Sequence, residues 1–266
     1  MLYRTASSDL SSGAAVSELI GFSVRWAVPF IYIVVAASAM RTLFPGSFTN
    51  WWVRNREQFG LCFALAMAWQ ATFIFIMSNT YRDYYYEEVY LFRDELEGSI
   101  GYIFLVAMVF TTFPFGRKLV SPKQWKLIHT AGIYFLWAYP FSVYWWTLYY
   151  YGEPGIHDYI FYWAGFLAFA VRIAAWGKKR QQQSGDSPLF NKIMGYAITL
   201  AGLALASTGF QEQLTGILTG PAWSAELVLW LPFWPFEPFI SLALIGLGTL
   251  VLTHTPTTSL AGAQAK

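Results

Sequence analysis

Long runs without a charged residue, separated by short clusters that hold nearly all the charge, constrain this chain more than any motif does. A helix needs about 20 apolar residues to cross the hydrocarbon core of a bilayer. Within that core each backbone N–H and C=O must be bonded inside the protein, which leaves helices or closed barrels. Only 12% of the 266 residues are charged, 56% are hydrophobic and 20% aromatic, whereas soluble domains carry about 25% charged residues. The pattern therefore predicts an all-α fold, a polytopic membrane helix bundle.

Seven segments approach the required length: roughly 22–44, 59–79, 98–115, 125–150, 157–176, 193–218 and 237–254. Pro29 and Pro140 fall inside the first and fourth, where neighbouring helices can tolerate a kink. Gln211, Glu212 and Gln213 interrupt the sixth, and the aromatic-proline run 231–236 reads as an interfacial segment before the seventh. The loops alternate in sign. Arg54 and Arg56 are followed by Asp83, Glu87, Glu88, Asp94, Glu95 and Glu97, and these by Arg117, Lys118, Lys123 and Lys126. Glu153 and Asp158 come next, then Lys178, Lys179, Arg180 and Lys192, and last Glu226 and Glu237. Because Lys and Arg concentrate in cytoplasmic loops, the N-terminus is expected outside and the C-terminus in the cytoplasm.

The expected division is a polar tail (1–20), a helix bundle (21–177), a cytoplasmic linker (178–192), a two-helix addition (193–255) and a second tail (256–266). Met1 to Glu18 lacks the basic stretch and short apolar core of a cleavable signal. The single cysteine, Cys62, lies in an apolar run, so no disulfide framework is expected. No polar stretch is long enough to bury a soluble catalytic core. No glycine-rich phosphate cradle is present, so neither a nucleotide nor a nucleic-acid partner is expected.

His129 is the one histidine inside an apolar segment, at the start of the fourth span in Trp125-Lys126-Leu127-Ile128-His129. Arg56-Glu57-Gln58-Phe59-Gly60-Leu61 opens the second span, and a basic turn, Gly116-Arg117-Lys118, precedes the fourth. Together, over roughly residues 25–176, these segments resemble the ferric reductase-like transmembrane family. The likeness is strongest to the haem-binding membrane subunits of bacterial methionine sulfoxide reductase systems. The family's Trp-x-x-Leu-His is matched by Trp125-x-x-Ile128-His129, with Tyr134 in an aromatic position that follows.

The resemblance implies two haems, one near each leaflet, held by histidines about 13–14 residues apart on two helices, or about 20 Å along each axis. At those positions this chain has Gln70 and Ser142 on the outer level, and Arg56 opposite His129 on the inner level. Neither Gln70 nor Ser142 is a normal haem ligand, so an outer haem is not expected. At the inner level, His129 can ligate one haem b or another macrocycle, with Arg56 on a propionate. The plainer reading is a hydrogen-bonded or solvated histidine at a helix end beside Lys126.

Other candidates are weaker. His157, beside Asp158 and near Glu153, lacks metal-ligand spacing, as does His254. The run from Tyr81 to Tyr90 reads as an interfacial loop or short helix capping the bundle, or as an acidic docking surface. Aromatics crowd the fourth span all round, which offers stacking surfaces for a quinone or pigment but also ordinary packing. Arg172 is close enough to the inner end of its span to snorkel.

The leading expectation is a haem-degenerate membrane subunit, without catalysis or cofactor of its own, that docks another membrane or periplasmic protein in the bacterial inner membrane. One alternative is an electron carrier with a single haem on His129 or a quinone. Another is a pigment- or lipid-binding accessory subunit. Membrane lipids are expected contacts in every case.

Overall fold

The computed structural model describes residues 3, 5, 10–149, 153–184, 187–207 and 237–254. The expected interruption at Gln211–Gln213, the run 231–236 and the tail 256–266 lie outside these residues, whereas residues 13–20 of the expected N-terminal tail belong to the first helix. Among the described residues all regular structure is helical. Eight helices form it: α1 (Gly13–Leu43), α2 (Ser47–Arg54), α3 (Arg56–Thr80), α4 (Phe92–Thr112), α5 (Pro122–Tyr149), α6 (Ile156–Ser184), α7 (Leu189–Ser207) and α8 (Glu237–Leu252). Short helical turns at Arg82–Tyr84, Tyr85–Val89 and Pro114–Arg117 join them.

Five helices are long and apolar enough to cross a membrane: α1, α3, α6, α7 and the Asp94–Thr112 part of α4. The 28 residues of α5 reach about 42 Å at 1.5 Å each. It is rich in Trp and Tyr, whose polar tips set it apart from those five. Helix α8 is shorter, with an apolar stretch over Pro238–Leu252. Both α1 and α5 run unbroken through Pro29 and Pro140.

Helix α1 is the central post. Half of its most apolar stretch is buried, against 17% in α3 and in α4. Small residues at Ala27, Ala36, Ala37 and Ala39 let neighbours approach it, and the side chains of Val28, Ile31 and Val35 fill the contact. Helix α3 packs along α1, while α4 packs along α5, and α3 and α4 barely meet. That leaves a gap inside the bundle. The lipid-facing character of α3 and α4 shows in exposed Leu65, Ile103 and Val106.

Helices α5 and α6 are joined by rings. Trp137 stacks on Phe169 at 4.3 Å and on Phe141 at 5.1 Å, and Phe141 stacks on Tyr162 at 5.6 Å. The Trp137 indole donates to the Gly165 carbonyl at 2.9 Å, which satisfies its polar atom where no water competes. Trp137, Phe141 and Trp145 are buried, so much of the aromatic content of α5 is packing. Helix α6 continues through Lys178, Lys179 and Arg180 to Ser184, so most of the expected linker is helical. Lys178 extends from it to the Thr42 and Leu43 carbonyls at 3.0 and 3.3 Å, capping the end of α1 where the helix dipole is negative.

Helices α7 and α8 pack along each other, and α8 rests on α6 and α5. Glycines permit the α7–α8 approach: a Cβ on Gly248 would lie 2.7 Å from the Gly195 carbonyl oxygen, and one on Gly202 would lie 2.8 Å from that of Ser241. At the other end the tyrosine-rich segment caps the bundle. Tyr85 is buried with Val16, Leu19, Phe73 and Met77, and its hydroxyl donates to the Glu95 carboxylate.

Two outcomes follow from this packing. Gly248→Ala forces backbone apart and should destabilise the protein by about 1–3 kcal/mol. Gly246→Ala, whose Cβ meets nothing within 4 Å, should be neutral or slightly stabilising; melting of both variants in detergent checks the contrast. Burial, then the Glu95 carboxylate, raises the Tyr85 pKa above its ordinary 10.0. Its contribution to stability is therefore present below pH 10 and is lost as pH rises beyond it. Tyr85→Phe should make the alkaline fall in melting temperature shallower; an unchanged alkaline profile would remove Tyr85 from that role.

Candidate functional site

Because α3 leans on α1 and α4 leans on α5, the gap between the two pairs holds two cavities, one above the other. Their volumes are about 740 and 770 Å³, within the about 300–1,000 Å³ of small-molecule sites. Phe63, Leu105 and Leu136 line both and form the partition between them. The cavity at the cationic end, here the inner cavity, receives Arg54, Arg56, Arg117, Lys126 and Arg172, with Glu57 as its one acidic side chain. The outer cavity has the opposite balance: Asp94, Glu95, Glu97 and Asp158 against Arg25 and His157.

Arg172 reaches the inner cavity from the middle of α6. Its Nη1 donates to the Val35 carbonyl at 3.0 Å and approaches Ser38 Oγ at 3.4 Å, while Nη2 donates to the Tyr134 hydroxyl at 2.6 Å. The guanidinium carbon also sits 5.0 Å from the centre of the Tyr134 ring, a cation–π distance. Its partners among the described residues are thus neutral. Rather than reaching out of the membrane along α6, Arg172 turns into the bundle and ties α6 to α1 and α5.

His129 and Arg56 both line the inner cavity. The His129 ring stacks on Trp125 at 4.3 Å, and Nε2 lies 3.1 Å from the Thr111 hydroxyl. Thr111 donates in turn to the Ala107 carbonyl at 2.7 Å, and the Trp125 indole donates to the Thr111 carbonyl at 3.2 Å. This cluster binds the start of α5 to the end of α4. Gly116 allows the turn between them, since a Cβ there would lie 2.7 Å from the Phe110 carbonyl carbon. Gly60 has a different reason. A Cβ on it would meet nothing within 4 Å, so this glycine leaves space in the cavity wall.

Gln70 lines the outer cavity, and its Oε1 lies 3.1 Å from the Tyr102 hydroxyl, which is also 3.1 Å from the Met67 carbonyl. The amide bridges α3 to α4 here. Ser142 is not on that wall: it is buried, and its hydroxyl donates back to the Tyr139 carbonyl at 2.8 Å. The structure therefore brings His129 together with Arg56, and does not bring Gln70 together with Ser142. His157 pairs with Asp158 Oδ1 at 3.1 Å, while Oδ2 accepts from the Gly155 N–H at 2.9 Å; both carboxylate oxygens serve the start of α6. His254 offers its backbone carbonyl to Asn191.

A haem held between two helices needs an iron-binding atom from each. Opposite His129, α3 supplies a guanidinium, and the imidazole Nε2 is engaged by Thr111. Opposite Gln70, α5 supplies Tyr139, Pro140, Val143 and Tyr144. Neither level fits a bis-histidine haem. Sequence reasoning undervalued Arg172, whose signal was its position as the one charge between Asp158 and Lys178. The Gln70–Tyr102 pair had no signal, because a glutamine on α3 and a tyrosine on α4 become neighbours only on folding.

No family model, curated protein or solved structure matches the chain. The fold and site define an integral membrane helix bundle with two internal cavities of opposite charge.

Arg172→Met should lower stability by about 2 kcal/mol, the scale of a lost hydrogen bond to a charged group. Arg172→Lys should recover little of it, since one ammonium cannot span the partners of a planar fork. Full recovery by lysine, in unfolding measured in detergent, would show that charge alone matters there.

Proposed function

We propose that this chain is a non-catalytic membrane subunit on a ferric reductase-like scaffold, with the paired cofactor positions kept as space but not as ligands. The N-terminus faces outside and the C-terminus the cytoplasm of a bacterial inner membrane, following the positive-inside rule. One observation supports the reading above the others. Two of the four side chains at the expected ligand positions serve helix-to-helix hydrogen bonds, Gln70 with Tyr102 and His129 with Thr111. The chain then acts by holding a ligand in its cavities and by docking a membrane or periplasmic protein against its helices. The α7–α8 pair adds surface for that contact.

A second reading has a specific observation in its favour. His129 shares one cavity wall with Arg56, Arg117 and Arg172, a set that could neutralise the carboxylates of a single haem. Such a haem would supply one-electron chemistry, and His129 would have to exchange Thr111 for the iron.

Absorption spectra of the purified full chain separate the two. The first reading expects no stoichiometric Soret band in either oxidised or reduced protein. A band at about one haem per chain, absent from His129→Ala, would replace it with the second.

A further inference from the structure

We propose that the inner cavity binds the phosphate headgroup of an anionic glycerophospholipid, which enters sideways between α3 and α4. The proposal rests on the reading that no haem fills this cavity. Four observations carry it.

The first is charge. Five cationic side chains and one carboxylate line a single cavity. Arg54, Arg56 and Lys126 are exposed, and Arg117 and Arg172 are half-buried. Among the described residues none of the five forms an ion pair with a carboxylate, and Arg172 is held by a carbonyl and two hydroxyls. A low-dielectric pocket with that imbalance favours an anion. Guanidinium groups also match phosphate oxygens in pairs.

The second is the apolar part of the same wall. Ile31, Phe63, Leu105, Met108 and Leu136 offer hydrocarbon beside the cations. A free inorganic anion would leave this surface wet, whereas an acyl chain would cover it. The third is access. Helices α3 and α4 barely meet, so the cavity lies behind a seam between two helices with exposed apolar faces. The fourth is Gly60, which keeps part of the wall open without any packing need. Basic pockets between membrane helices at the cytoplasmic side are a known mode of lipid headgroup recognition.

The test uses the full chain in nonionic detergent. Thermal unfolding and native mass spectrometry would be run with phosphatidylglycerol, with phosphatidylcholine of the same acyl chains, and with inorganic phosphate. Phosphatidylglycerol should bind on the order of tenfold more tightly than phosphatidylcholine and raise the melting temperature, and phosphate alone should do neither. Gly60→Leu should abolish the preference by filling the cavity, as its Cβ meets no neighbour within 4 Å. The double change Arg56→Gln and Lys126→Gln should weaken phosphatidylglycerol on the order of fivefold per cation removed. It spares Arg172 and so keeps the helix ties; should Gly60→Leu fail to fold, the double variant decides.

Equal binding of the two lipids would overturn the proposal, as would a preference that survives both variants. A full effect from inorganic phosphate would overturn the lipid assignment. The absorption spectrum of the same samples is read separately. A stoichiometric Soret band removes the underlying non-haem reading, whereas haem-free protein without lipid selectivity removes this proposal alone.

Discussion

The guanidinium of Arg172 holds three helices at one level, and the inner half of the bundle is arranged around it. A charged side chain within a membrane-spanning helix is costly unless it faces the protein interior and finds partners. Arg172 meets that requirement with the Val35 carbonyl, Ser38 and the Tyr134 hydroxyl and ring. Those contacts set the spacing of α1, α5 and α6 beside the inner cavity. Because all of them are neutral, the positive charge stays available to the cavity it lines. One residue thus serves both architecture and electrostatics.

The gap itself has a simple origin. Helix α1 is small-faced and buried, so α3 can lie along it; α5 is broad with rings, so α6 and α4 meet it at separate faces. Helix α3 consequently stands away from α4. The space is divided by Phe63, Leu105 and Leu136 into halves of similar size but opposite charge. Apart from Arg172 and Arg25, the charged side chains of each cavity come from the helix ends and turns at its own end, which give the cavity its sign. Some polar groups at the levels between are bonded across helices, as Gln70 is to Tyr102.

Much of this was legible in the order of residues. The apolar runs and charge clusters marked the helices, and the helix starts at Arg56 and Pro122 fall close to the expected ones. The resemblance put Arg56 opposite His129, and both side chains line the inner cavity. Other features were hidden. Ser142 was placed opposite Gln70 by counting along a helix, yet its hydroxyl bonds within α5. Counting gives a face relative to the helix axis; which neighbour covers that face depends on how the helices lean. The residues 178–184 read as linker by composition, but α6 runs on because Lys178 finds the orphan carbonyls at the end of α1.

By itself, the sequence determined that the chain is helical and suited to a membrane, because transfer of charge and unpaired backbone into hydrocarbon leaves no other arrangement of such runs. It also determined which end of each helix is cationic. Tertiary structure alone decided that Arg172 turns inward, that α3 and α4 stand apart, and that Gly60 faces space while Gly195 and Gly248 face backbone. The reason is that these depend on distances between residues far apart in the chain. Local periodicity says nothing about such distances until the helices have packed.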